Sequence, residues 1–255
     1  MLNIEDFDIK LLTEYIGRNF IYCDEIDSTN SYLLNEMDEE TINGTVLFAE
    51  KQEKGRGRKT RTWLSAKGMN LTFSVLLTNN RFFKKNVTLI NLAVPLAVAN
   101  SINNVYQLET DLKWPNDILI NKRKVAGILL ESTSTGNSID KLVIGIGLNV
   151  NQTNFQGEFK ISPTSLRLEL KHNVEREKVL AEVLNNLEEN LERLLLKPKE
   201  IIEEWKTNCS MIGEKIEIVE GDQKLFGIFE DVDDNGYLLL RTGNKIENIQ
   251  FGDLT

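Results

Sequence analysis

The residues with the clearest capacity for chemistry lie between Lys51 and Trp63, in the segment KQEKGRGRKTRTW. Six cations, Lys51, Lys54, Arg56, Arg58, Lys59 and Arg61, stand there against a single acid, Glu53. The chain as a whole is acidic: 30 Lys+Arg face 39 Asp+Glu across 255 residues, a formal net charge of -9. A local excess of positive charge costs self-repulsion unless an anion comes to it. Gly55 and Gly57 free the backbone to turn and to present amides to that anion. Arginine supplies planar forks that match phosphate or carboxylate. An anion-binding loop of this kind is expected to be mobile when empty and ordered when filled. The same run also suits a solvated charged loop or an RGG-like RNA contact.

Two further segments could meet that loop. In KWPND (Lys113 to Asp117), Trp114 before Pro115 is expected to be extended, while Asn116 and Asp117 can close their own turn. Lys122, Arg123 and Lys124 follow, and Lys113 and Lys124 are expected to face one site from adjacent strands. In KLVIGIGLNVN, Gly145 and Gly147 interrupt a very apolar strand, which marks a close approach by another backbone or a ligand. GIGLNV is not a dinucleotide fingerprint, because Val150 stands where the third glycine is needed. There is no Walker A motif. The one histidine, His172, lies in polar LELKHNVERE and reads as a surface residue. A Ser-His-Asp triad or a multi-His metal site is therefore poorly supported. Cys23 and Cys209 form no CxxC and read as idle thiols in a reducing cytoplasm. The chemistry falls to Lys, Arg, carboxylates and backbone amides.

The elements that must position these groups follow from periodicity and caps. Phe7 to Gly17 has helical spacing. IYCDEIDSTN is a short strand ending in Ser28, Thr29 and Asn30, all good N-cap types, and SYLLNEM continues as a helix. Thr45 to Gln52 and Asn70 to Thr78 read as strands, with the basic segment as a loop between them. Thr88 to Val105 reads as a helix that Pro95 kinks or restarts. Strands flank the PND turn, and a tight basic turn at Asn121 to Lys124 leads to another strand. Glu175 to Leu196 is a helix with one apolar face, and Ile201 to Lys206 adds another turn or two. After Cys209 come four short strands with turns at Gly221, Asn235-Gly236 and Gly243-Asn244. These spacings predict two units, residues 1–208 and a small β-barrel at 209–255. The start MLNIEDFD is no signal peptide, and Leu89 to Asn100 is too short to span a bilayer.

DSTN, GRGRKTRTW, KWPND, KVAGILLE and GIGLNVN, in that order and with those gaps, resemble a biotin protein ligase, in the short form lacking the N-terminal DNA-binding domain. The likeness runs from about Asp27 to the C-terminus. It implies an α+β fold: a mixed β-sheet flanked by helices, class II aminoacyl-tRNA synthetase-like or SH2-like, with a C-terminal SH3-like β-barrel. It implies biotin and ATP as substrates with Mg²⁺, biotinyl-5′-AMP as the intermediate and pyrophosphate as a product. The implied acceptor is a lysine on the carrier domain of a biotin-dependent carboxylase, such as acetyl-CoA or pyruvate carboxylase.

Matched motif by motif, the resemblance gives biotin contacts to Ser28, Thr29, Asn30, Gln52, Arg56, Gly57, Arg58, Lys124 and Gly127. It gives adenylate contacts to Gly55, Arg56, Arg58, Arg61, Trp63, Lys113, Trp114, Asn116, Asp117 and Asn149. Lys124 and Arg58 would carry catalysis. Metal ligands, and the aromatic that covers adenine in some relatives, receive no position. The family often reads x-Gly-Arg after GRGR. Here Lys59-Thr60-Arg61 follows, and Thr60 is expected to reduce backbone freedom.

The physics suits the resemblance. Biotin's carboxylate and ATP's α-phosphate repel one another. A cationic loop and Lys124 would offset that repulsion and stabilise the transition state electrostatically. The rest is positioning, and protection of an acid anhydride from water. Two alternatives are weaker. Lipoate ligases share the fold but lack the GRGR loop. A biotin-responsive transcriptional regulator needs a DNA reader, and only 27 residues precede Ser28. No DNA and no membrane partner, a cytoplasmic setting, and a monomer or homodimer are expected.

Overall fold

The computed structural model describes residues 1–37, 41–78, 87–136, 138–220, 223–250 and 252–254. Its larger sheet has seven strands: β1 (Phe20–Ile26), β2 (Thr45–Gln52), β3 (Leu71–Leu77), β4 (Asp111–Lys113), β5 (Asp117–Ile120), β6 (Arg123–Thr135) and β7 (Ser138–Leu148). They lie in the order β1-β2-β3-β7-β6-β5-β4. β1 runs parallel to β2, and every other pair is antiparallel. The sheet is therefore mixed.

Strand alternation divides the sheet between two tasks. On β3 and β7, Phe73, Val75, Leu77, Ile144 and Ile146 enter the main core. Helices α3 (Ile90–Tyr106), α5 (Arg176–Leu196) and α6 (Pro198–Thr207) pack together there, with α1 (Ile4–Lys10) against α5. Leu76 and Val143 point the other way and join Leu33 of α2 (Thr29–Asn35) and Leu47 in a second cluster. Ser74, Gly145 and Gly147 share that second face by register.

Several elements depart from expectation. α1 stops at Lys10 and does not reach Gly17. The amides of Glu14, Tyr15 and Ile16 instead donate to the Glu188 carboxylate on α5, which replaces the helix's own acceptors. α3 runs through Pro95 without a restart. A five-residue helix, α4 (Leu166–Leu170), capped by Ser165, is additional.

The C-terminal region is a five-stranded antiparallel sheet, β8 (Lys215–Glu220), β9 (Gln223–Val232), β10 (Leu238–Thr242), β11 (Lys245–Ile249) and β12 (Asp253–Leu254). Its order is β11-β10-β9-β8-β12, with no β11–β12 pairing among the described residues, so it is an open sheet and not the expected barrel. The fifth strand, β12, was not expected. The turn expected at Gly221 lies outside the described residues. No described helix is long and apolar enough to cross a membrane.

Candidate active site

A row of paired residues crosses the sheet on the α2 face: Thr72 opposes Gly147, Gly147 opposes Gly127, Gly127 opposes Asp117, and Asp117 opposes Lys113. The next row pairs Ser74 with Gly145 and Gly145 with Leu129. Two strands that carry glycine at their centres leave a trough. Side chains, not another backbone, fill its floor. A Cβ on Gly145 would lie 2.2 Å from Asn30 Oδ1, and one on Gly147 would lie 2.3 Å from the Trp63 ring. Above this floor is a cavity of about 470 Å³.

The basic segment is a small hairpin, not an irregular loop. Arg56 bridges Thr62, the Gly57 amide donates to the Arg61 carbonyl at 2.8 Å, and the Trp63 amide donates to the Gly55 carbonyl at 3.0 Å. Gly55 serves the hairpin itself: a Cβ there would sit 2.3 Å from the Trp63 carbonyl oxygen. The left-handed residue of the turn is Lys59 (φ 58°), while Thr60 has no positive φ, so Thr60 is not the strained position.

Each of the six cations already has a carboxylate. Lys51 pairs with Glu53 at 2.5 Å, Lys54 with Asp27 at 2.7 Å and Arg56 with Glu131 at 2.6 Å. Arg58, Lys59 and Arg61 share Asp253 of β12, Arg58 at 3.4 Å and Lys59 at 3.0 Å. The self-repulsion anticipated from sequence is thus partly offset internally, by these four carboxylates against six cations. Only Arg56, Arg58 and Arg61 of the six face the cavity. Burial would raise the Asp253 carboxyl, but Arg61, Lys59 and Arg58 hold it below the usual carboxylate range. Burial lowers the Arg58 guanidinium, against the pull of Asp253. Arg58 Nη1 lies in ion-pair range of Asp253 yet makes no hydrogen bond among the described residues.

Lys113 and Lys124 do share the cavity, but not from adjacent strands: β5 separates them and places Asp117 between. Lys124 Nζ pairs with Asp117 Oδ1 at 2.5 Å and lies 5.8 Å from the Trp63 ring centre. Lys113 Nζ donates to the Leu254 carbonyl at 3.1 Å. Burial pushes Lys113 below the usual lysine range; Asp117 opposes the shift, and Lys124 and Arg61 add to it. The Trp114–Pro115 peptide is cis. Asn116 clasps β6 through its side-chain amide and the Ile128 carbonyl.

At the other end most of the lining is uncharged, the exception being Arg56, whose Nη1 lies 3.2 Å from Ser31 Oγ. Ser28 caps α2 by accepting from the Ser31 amide, and Gln52 Oε1 accepts from the Thr29 amide at 2.7 Å. Asn149 Oδ1 and Trp63 Nε1 are buried without a hydrogen-bond partner among the described residues. Every expected site residue lines the cavity except Gly55. Four contributions were missed: the segment from Phe155 to Pro163, Asp253 with Leu254, and, behind the wall, Ser74 and Glu131. Two phenylalanines four apart in polar QTNFQGEFK were a usable signal for the first. His172 is exposed, as expected, and burial pushes the Cys209 thiol up to about 12, so it is no nucleophile at neutral pH.

A helix-backed mixed sheet that gathers cations and neutral hydrogen-bonding groups in one trough suits a ligand-binding site for an anion beside a neutral group. The chain belongs to the biotin/lipoate A/B protein ligase family, whose model matches residues 22–149. Residues 211–254 match the biotin protein ligase C-terminal domain. It is 32% identical to the bifunctional ligase/repressor BirA of Bacillus subtilis, over 99% of this chain and 78% of that one. It is 31% identical to the biotin--[acetyl-CoA-carboxylase] ligase of Mycobacterium tuberculosis, over 84% of this chain and 79% of that one. The biotin protein ligase of Aquifex aeolicus, solved with biotin and ATP, is 33% identical. It superposes with a TM-score of 0.81 over 93% of this chain and 98% of its own.

Proposed function

We infer that the chain is a biotin protein ligase. A biotin carboxylate oxygen attacks the α-phosphorus of ATP, pyrophosphate leaves, and biotinyl-5′-AMP remains in the cavity. A lysine amine on a carboxylase carrier domain then attacks the acyl carbon, AMP leaves, and the amine loses a proton. The observation that carries this reading is the division of one cavity into a neutral floor and a cationic wall.

Ser28, Thr29, Asn30 and Gln52 form the neutral end, where biotin's uncharged ring system would sit. Arg56, Gly57, Arg58, Lys124 and Gly127 would complete the biotin site and meet its carboxylate, as the resemblance implies. Arg61, Trp63, Lys113, Trp114, Asn116, Asp117 and Asn149 would hold the adenylate, and Trp114, Phe155 and Phe159 supply aromatic surface for adenine. Lys124 and Arg58 would stabilise charge as the carboxylate and phosphate converge, since pre-placed cations cost no reorganisation during the reaction. Of the carboxylates that line the cavity, Asp117 and Asp253 are already committed to cations, and Glu158 is the third. No set of three His, Cys, Asp or Glu side chains suited to a metal occurs among the described residues. A Mg²⁺ carried mainly by the triphosphate fits that donor set, and would neutralise the departing pyrophosphate.

The proposed unit boundary falls at 208/209, after α6. The net charge of -9 opposes nonspecific DNA binding by these residues, and two free cysteines suit a reducing cytoplasm. The test is biotin-dependent pyrophosphate release from ATP. It is expected in the parent and reduced at least about tenfold, about 1.4 kcal/mol, in Lys124→Ala and Arg58→Ala. Release with lipoate and none with biotin would overturn the reading.

A further inference from the structure

Behind the neutral end of the cavity runs a chain of buried polar groups whose hydrogens can be counted. Glu131 Oε2 is 3.0 Å from Asn30 Nδ2, and the Leu129 carbonyl is 3.2 Å from the same nitrogen. Both are acceptors, so Asn30 must turn its amide nitrogen toward them and its Oδ1 toward Ser74. Ser74 Oγ is 2.6 Å from Asn30 Oδ1 and 2.6 Å from Thr29 Oγ1. Thr29 Oγ1 is in turn 2.9 Å from Gln52 Oε1, which already accepts from the Thr29 amide at 2.7 Å.

Three oxygen–oxygen contacts therefore share two hydroxyl hydrogens. The two contacts at 2.6 Å cannot do without one, because oxygens that close repel unless a hydrogen lies between them. Asn30 Oδ1, buried, takes the Ser74 hydrogen. Ser74 then has none for Thr29 and must accept the Thr29 hydrogen. The contact at 2.9 Å is the one left without, at an oxygen already satisfied. The direction of the whole chain is thus set by the two fixed acceptors at its far end, the Leu129 carbonyl and Glu131, the latter held by Arg56.

We propose that Ser74 and Glu131 are positioning residues that hold the Thr29 hydroxyl as a pure acceptor toward the cavity, so that this end selects a ligand presenting an N–H donor, as a cyclic urea does. Neither Ser74 nor Glu131 lines the cavity, whereas Thr29 does. Their effect passes through Thr29's hydrogen. A site built around one donor–acceptor polarity rejects the isostere that inverts it, because two acceptors are then forced together in a buried place. A dithiolane offers no such N–H, so the same polarity separates biotin from lipoate.

The inference rests on the biotin ligase reading and deepens it. The probes are biotin and its two cyclic-carbamate analogues, in which one ureido N–H or the other is replaced by a ring oxygen. Pyrophosphate release is measured for each with the parent, Ser74→Ala, Ser74→Cys and Glu131→Gln. The parent is expected to prefer biotin to at least one analogue by about a hundredfold or more in kcat/KM. Ser74→Ala frees the Thr29 hydrogen, and the preference is expected to narrow about tenfold, through the KM for biotin and not that for ATP. Ser74→Cys, which keeps a weak donor and acceptor in place, should restore part of it, and Glu131→Gln should narrow it less. An unchanged preference in Ser74→Ala or Glu131→Gln protein that melts within a few degrees of the parent overturns the proposal. A parent that releases no pyrophosphate with biotin overturns the ligase reading instead.

Discussion

The two ends of the cavity use polar groups in opposite ways. At the neutral end, Gln52, Thr29, Ser74 and Asn30 leave almost nothing unpaired, and selectivity lies in which atom donates. At the cationic end, Arg58 Nη1 has no hydrogen bond among the described residues, and three cations share one carboxylate, Asp253. The first arrangement reads a fixed pattern, since a buried network tolerates only the partner that completes it. The second holds charge in reserve for an incoming anion while keeping it compensated. A site that must join a neutral ring system to a nucleotide needs both, and the glycine trough lets them meet on one sheet.

The sharpest way to break the comparison is at the trough. Gly145→Ala places a methyl group where Asn30 Oδ1 now sits, 2.2 Å away. It should cost roughly a hundredfold or more in kcat/KM for biotin, the scale of an ångström-sized misplacement, measured by pyrophosphate release. Gly127→Ala meets only the flexible end of Lys124 and the Trp63 edge, at 3.1 and 3.3 Å, and should cost less.

Asp253→Asn tests whether the cationic wall depends on its internal counter-ion. The folded carboxyl lies below its ordinary value, so the ion pairs stabilise the fold above the unfolded value of about 3.9 and are lost as pH falls through the lower folded value. The variant should melt lower than the parent at pH 7, by about 2–4 °C for each kcal/mol lost. That gap should close below about pH 4 in thermal scans.

Lys54→Ala is the smallest expected change. Lys54 belongs to the same basic run but is 76% exposed and, among the described residues, forms an ion pair only with Asp27. Stability and activity should stay close to those of the parent in thermal scans and pyrophosphate release. A large loss would mean that the charge of the run acts as a whole and not through the three arginines facing the cavity.

What the sequence made legible was local. Thr45 to Gln52 is a strand, as expected, and Ser28 caps α2 because its side chain can reach the Ser31 amide whatever surrounds it. The glycines at 145 and 147 announced a close approach. What stayed hidden depends on partners far along the chain. α1 ends early because Glu188, remote in sequence, offers its carboxylate to three amides. Ser74 reads as one more strand residue until Thr29 and Asn30 are placed against it. Asp253 sits on a two-residue strand that no periodicity announces, yet it pairs with three of the six cations of the basic run.

That last pairing also has a timetable. The hairpin and its counter-ion are nearly 200 residues apart in the sequence. During synthesis at roughly 5–20 residues per second, Arg58, Lys59 and Arg61 leave the ribosome about 10–40 s before Asp253 is made. For that interval they must be shielded by solvent ions or by other polyanions nearby, of which the ribosome's own RNA is the most concentrated. A nascent chain stalled short of Asp253 should therefore behave as a more basic, stickier molecule than the finished protein.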